Sequence, residues 1–327
     1  MRKALILFMM CGTGVMGFAQ RSIMPASLRQ GDTIAIVSPS STPDSITVEK
    51  GCQTLREWGY VPVVGPHALN SYHGFAGTAG ERLADLLWAL RDTSVKAILC
   101  SRGGDGAVQV LQRIPLNEFR QHPKWVMGFS DATALHSAEV SAGVMSIHCS
   151  MCDGIAMRGE RDSVNVILRH LLQGELPCYQ APAHPLNQLG EAEGILVGGN
   201  LSVLCGLAGS EYDFLNRADE GLILFIEDTG EGMSKVDRML HQLEIRGILP
   251  RLKGMIVGHF SKYKHPENDF ADMFEMLHEY LQHYDIPVCY DFPVGHHSGY
   301  NYPMVEGCKV RLRVGQEATS ISFQYNR

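Results

Sequence analysis

Short apolar runs alternate with amphipathic stretches through the first half of the chain. Thr33-Ile-Ala-Ile-Val37 reads as a buried strand that stops at Ser38-Pro39-Ser40. Ser45 to Trp58 predicts a helix, and Val61-Pro-Val-Val64 a second strand. Glu81 to Leu90 sets its apolar residues at helical spacing, Lys96 to Cys100 is strand-like, and Ala107 to Arg113 predicts a short helix. Trp125 to Gly128 and then Ala132 to Ser141 repeat the strand–helix order. Such alternation predicts a parallel sheet covered on both faces, a Rossmann-like domain over residues 20–172. Residues 173–194 hold three prolines and no apolar period, and are expected to be a linker. Beyond it, strand-like segments begin at Ile195, Leu222, Gly254, Pro287 and Lys309, interrupted by helix patterns over Lys235–Arg246 and Phe270–His283. Residues 195–327 are therefore expected to form a smaller, mixed α/β domain.

Composition narrows the class. The 327 residues are 45% hydrophobic and 19% charged, enough for two domains with sizeable cores. A formal charge of −7 argues against broad binding to nucleic acid, which needs a basic surface. The first residues change the arithmetic. Arg2 and Lys3 precede an uncharged run, Ala4 to Ala19, and Gly17-Phe-Ala19 places small residues before Gln20 as a signal peptidase requires. The run is short for a spanning helix, which needs about 20 residues. Cys11 lacks the small preceding residues usual at a lipidation site. Export to the periplasm with loss of residues 1–19, and no stable membrane anchor, is expected. Removing that segment, with Arg2 and Lys3, leaves 308 residues and takes the charge from −7 to −9.

Eight cysteines follow the leader, dispersed rather than framed as in a small disulfide scaffold. The one close pair is Cys149-Ser-Met-Cys152, and no second pair of similar spacing offers a zinc site. Packing or a local disulfide is the expected role, and neither metal nor cofactor is expected.

Four segments carry candidate chemistry. Gly128-Phe-Ser130-Asp131-Ala132 joins a strand to a helix, a turn that lifts a serine hydroxyl clear of the sheet and aims backbone N–H groups at an oxyanion. Ser130 there serves equally well as a helix cap. Ser101-Arg102-Gly103-Gly104-Asp105-Gly106 follows a strand and exposes N–H groups, but lacks the spacing of a nucleotide loop. Glu227-Asp228 ends a very apolar strand, where a carboxylate can orient a histidine or pair with Arg238. Gly295-His296-His297 supplies a side chain suited to proton transfer near neutral pH. The order serine, acid, histidine also occurs in α/β-hydrolases, although here the linker divides the three between domains.

Taken in order, these segments resemble a known family. Leu28-Arg-Gln-Gly31-Asp32, Arg82 through Ala97 with the Arg102-Gly103-Gly104 turn, Gly128-Phe-Ser130-Asp131 with Thr133 and Leu135-His136, Gly198-Gly-Asn200-Leu201, Glu227-Asp228, Asp237-Arg238 and Gly295-His296 are similar to motifs of the LD-carboxypeptidase family of serine peptidases. That family includes the microcin C immunity peptidases. The resemblance implies a Ser130–His296–Glu227 triad, with the Asp131 N–H and the Gly103-Gly104 turn as oxyanion donors and Arg102 toward the substrate. It implies a homodimer that uses no metal and cuts the amide between an L-centre and a D-amino acid in a peptidoglycan tetrapeptide. A muropeptide is the expected substrate; a peptide–nucleotide antibiotic, or a non-catalytic binding protein, is the alternative. Two positions depart from the family pattern. His148-Cys149-Ser150-Met151 replaces a usual His-Gly-Pro, and Asp105 stands where an aromatic is common. An acid at 105 is expected to repel a substrate carboxylate unless Arg102 compensates.

Overall fold

The computed structural model describes residues 22–159, 162–264, 270–297 and 300–325. The expected leader, residues 1–19, lies outside them. Two sheets form the frame. The first contains β1 (Thr33–Val37), β2 (Val61–Val64), β3 (Val95–Cys100), β4 (Trp125–Gly128) and β5 (Ser146–His148). The second is built from β6 (Cys178–Pro182), β7 (Gly190–Asn200), β8 (Leu222–Thr229), β9 (Gly254–Ser261) and β10 (Val288–Cys289). The chain then makes β11 (Met304–Glu306), β12 (Lys309–Val314) and β13 (Ala318–Gln324).

The first sheet runs β11-β5-β4-β3-β1-β2, with β1 to β5 all parallel, as the alternating pattern predicts. Helices cover both faces, which is why β1, β3 and β4 are buried along nearly their whole length. Each fully buried Leu, Ile or Phe contributes roughly 1.5–3 kcal/mol over leaving it exposed. The helix Ala79–Arg91 begins two residues before the apolar period does. Thr78 accepts from the Glu81 N–H while the Glu81 carboxylate accepts from the Thr78 N–H, a reciprocal cap.

The second sheet runs β10-β9-β8-β7-β12-β13-β6 and is mixed. From β10 to β7 it is parallel and apolar; β8 is buried from Leu222 to Asp228. From β7 to β6 it is antiparallel, and β12 alternates exposed Lys309, Arg311 and Arg313 with buried Val310, Leu312 and Val314. That half faces the core on one side only.

Two features differ from the sequence expectation. The stretch 173–194 is not all linker, since it contains β6 and the start of β7. Strand β11, from the second half of the chain, returns to pair antiparallel with β5 at the edge of the first sheet. Buried Glu306 on β11 accepts from the Gly198 N–H at 3.2 Å, and Thr133 Oγ1 accepts from the Asn200 N–H at 3.0 Å. The two sheets are thus joined by buried polar contacts around the start of the helix Thr133–Ser141. No helix among the described residues is long and apolar enough to cross a membrane.

Candidate active site

Strand β4 ends at Gly128, and the chain then passes through extended Phe129 into a single 3-10 turn, Ser130–Ala132, that leads into the helix Thr133–Ser141. Ser130 has φ +64°, a left-handed conformation that a non-glycine residue keeps only when its surroundings impose it. Those surroundings are specific. The Gly128 carbonyl accepts from the Cys149 N–H at 2.8 Å and from His136 Nε2 at 2.9 Å. His136 is fully buried, and burial pulls its pKa down to about 4, so the ring is neutral. Asp131, also buried, accepts from the Ala107 N–H at 2.8 Å, which pins the Ser130 turn to the helix that follows the glycine turn. Burial raises the pKa of Asp131; the Ala107 bond and the charge of Arg82 oppose that rise, and Asp105 adds to it.

The glycine turn presses on the serine. A Cβ added to Gly103 would lie 2.8 Å from Ser130 Cβ and 2.9 Å from its Oγ, so only glycine lets this backbone approach the hydroxyl. The same spot lies 3.6 Å from the Asp131 nitrogen. Arg102 donates to the Thr42 carbonyl at 3.1 Å and the Asp105 N–H donates to Ser41 Oγ at 3.1 Å, tying the turn to the loop after β1.

Glu227 stands near the end of β8, fully buried, and its partner is His296. Oε2 lies 2.5 Å from His296 Nδ1 and 3.3 Å from the His296 backbone nitrogen. A carboxylate only accepts, so Nδ1 carries a proton and Nε2 of the neutral ring is free to accept. Nε2 lies 3.1 Å from Ser130 Oγ. The imidazole is 20% exposed and packs against Phe129 with ring centres 4.8 Å apart. Gly295 allows this approach: a Cβ there would fall 2.5 Å from Glu227 Cβ. Burial pushes the His296 pKa down, but the hydrogen bond and charge of Glu227, with Asp228 beside it, raise it above the ordinary histidine value. Lys262 opposes them weakly.

The structure therefore brings Ser130, His296 and Glu227 from both sheets into one hydrogen-bonded line, with Gly103, Gly104 and Arg102 beside it in a cavity of about 390 Å³. A larger cavity of about 530 Å³ near Leu116, Arg120 and Glu211 contains no nucleophile beside a base. Asp105 turns to solvent and is not part of the cavity lining, which corrects the expectation that it faces substrate. In the His148–Met151 departure, Met151 lines the cavity, whereas His148 is buried against Phe129 and Phe225. Cys149 and Cys152 are buried free thiols whose pKa values are raised by burial, Cys149 to about 12; the alternative of a local disulfide is not realised. No group of three His, Cys, Asp or Glu side chains among the described residues is arranged to hold a metal ion. Asp44 and Lys262 also line the cavity and were not among the sequence candidates. Lys262 left one signal: it follows β9 at the carboxyl end of a parallel strand, where open α/β sheets bind ligands.

Comparison with known proteins agrees with this architecture. Residues 34–149 match the model of the LD-carboxypeptidase N-terminal domain, and residues 193–312 that of the LD-carboxypeptidase C-terminal domain. A Bacillus subtilis protein named "Probable murein peptide carboxypeptidase" is 34% identical over 280 residues, 84% of this chain and 86% of that protein. The "Murein tetrapeptide carboxypeptidase" of Pseudomonas aeruginosa is 30% identical over 277 residues, 80% of this chain and 87% of its own length. The crystal structure of a muramoyltetrapeptide carboxypeptidase from Oxalobacter formigenes superposes with a TM-score of 0.80 at 25% identity, over 90% of this chain and 100% of that one.

Proposed function

We propose that this chain, which belongs to the LD-carboxypeptidase family, is a serine peptidase that hydrolyses the amide between an L-centre and a terminal D-amino acid in peptidoglycan-derived tetrapeptides. The observation that carries the reading is the line from Ser130 Oγ through His296 to Glu227, at 3.1 and 2.5 Å. His296 Nε2 takes the hydroxyl proton as Ser130 Oγ attacks the scissile carbonyl carbon. Glu227 holds the ring through Nδ1 and stabilises its charged form. The carbonyl oxygen becomes negative and is met by the Asp131 N–H and N–H groups of the Gly103-Gly104 turn. His296 then gives its proton to the departing amine, the C–N bond breaks, and water releases the acyl group from Ser130 by the reverse proton path. Export to the periplasm belongs to this reading and rests on the pattern of residues 1–19. A homodimer belongs to it through the family resemblance.

The test is release of D-alanine from a muropeptide tetrapeptide. Turnover by the wild type, reduced by roughly 10⁴- to 10⁶-fold in Ser130→Ala, is expected. No release, together with hydrolysis of an acyl adenylate analogue, would reverse the substrate assignment.

A further inference from the structure

The cavity over Ser130 contains two cations, Arg102 and Lys262, and neither has a carboxylate partner among the described residues. Arg102 is committed to the Thr42 carbonyl and sits next to Gly103, on the side of the proposed oxyanion donors. Lys262 lies just after β9, close enough to His296 for its charge to oppose protonation of the ring, which the charge of Arg102 does not do. Its backbone is unusual. Only four described non-glycine residues have positive φ, and two of them, Ser130 at +64° and Lys262 at +55°, line this one cavity. A long side chain in a left-handed conformation stores strain, and strain of that kind gathers at ligand clamps.

The proposed reaction gives that position a meaning. His296 must protonate the leaving nitrogen, so that nitrogen lies beside Nε2 when the C–N bond breaks. In a carboxypeptidase the leaving residue is the last one, and its carboxylate carbon is about 2.5 Å from that nitrogen. The carboxylate therefore falls close to His296, and Lys262 is the cation whose charge reaches that ring. Asp44 and Asp153 also line the cavity, and both are turned inward on their own chain. Asp44 accepts from the Thr47 N–H and hydroxyl at 2.8 Å, and Asp153 from the Gly154 N–H at 2.7 Å. They repel an anion from their edge and leave Lys262 as the free partner.

We infer that Lys262 is a specificity-determining residue that binds the terminal carboxylate of the departing D-amino acid. It makes the enzyme prefer a free chain end to a capped or internal amide. The inference rests on the carboxypeptidase reading and names its leaving-group subsite.

The experiment compares two matched tetrapeptides, one ending in D-alanine and one in D-alanine amide, with the wild type, Lys262→Gln and Lys262→Arg. The ratio of kcat/KM for the acid over the amide is expected to fall by about 10- to 100-fold in Lys262→Gln, as for loss of a charge-assisted hydrogen bond. Lys262→Arg should recover most of it. Fluorophosphonate labelling of Ser130 reports that each variant is folded. An unchanged ratio in Lys262→Gln overturns the inference and leaves the carboxypeptidase reading standing. If the wild type cleaves the terminal residue from neither peptide, as D-alanine or as D-alanine amide, the carboxypeptidase reading fails, and protection of Ser130 from labelling decides the inference. Protection by the acid peptide in the wild type but not in Lys262→Gln supports it; equal protection, or none, overturns it.

Discussion

The Ser130 turn and the His296 loop meet at 3.1 Å but are held there by different forces. Around Ser130 the restraint is chiefly steric: the Gly103 backbone against the hydroxyl and a neutral buried His136 on the Gly128 carbonyl, with Asp131 accepting from the Ala107 N–H. Around His296 it is chiefly electrostatic. The loop is held by a buried carboxylate that bonds both the ring and the backbone N–H, and by Asn301 Oδ1, which accepts from the Gly295 N–H at 2.9 Å. A sterically packed turn depends less on pH than a contact between titrating groups does. One half of the site is therefore sensitive to added volume, and the other to charge and pH.

Substitutions can break the comparison on either side. The largest effect is expected on the histidine side, where His296→Ala should lower D-alanine release by about 10⁴- to 10⁶-fold and also lower the melting temperature, because buried Glu227 loses its ring partner. Glu227→Gln keeps the shape but loses the charge. A fall in kcat of about 10²- to 10⁴-fold is expected, with the acid limb of kcat/KM moved to lower pH. Gly103→Ala tests the steric side by placing a methyl group 2.8 Å from Ser130 Cβ, and a displaced hydroxyl should cost about 10²-fold in kcat. Its pH profile should keep the wild-type midpoint, because His296 and Glu227 are untouched. Asp105→Tyr, at an exposed position outside the cavity lining, should change the relative rates on tetrapeptide and neutral substrates by less than about 2-fold.

The sign of the pH effect follows from the raised pKa of His296. The unfolded ring titrates near the ordinary value of about 6.5. The His296–Glu227 contact thus contributes its full stability below that pH and loses it as the pH rises through the higher folded-state pKa. Catalysis needs the neutral ring, so activity should rise across the same window in which this contribution to stability fades. Thermal melting and kcat/KM, measured from pH 5.5 to 8.5, should move in opposite directions there.

The parallel part of the fold was legible because buried strands are apolar throughout and end abruptly at Ser38, Ser101 and Gly128, where the loops of the site begin. Ser130, Glu227 and His296 stood out for the same reason, as chemically capable side chains just beyond apolar runs. Strand β11 was not legible. It is three residues long, contains the buried acid Glu306, and exists only through its pairing with β5, more than 150 residues earlier in the chain. Strand β6 was hidden by the prolines around it, which an edge position tolerates because one side of the strand needs no ladder. The one signal of Lys262, its place after the carboxyl end of β9, does not single it out, since its meaning comes from His296 on a separate loop.

The most direct test of the central claim is the pH dependence of Ser130 phosphonylation by a fluorophosphonate, followed by mass spectrometry in the wild type and in Glu227→Gln. The account predicts labelling at Ser130 with a midpoint above about 6.5 in the wild type, and a slower reaction with a lower midpoint in the variant. Labelling elsewhere, or the same midpoint in both proteins, would contradict it.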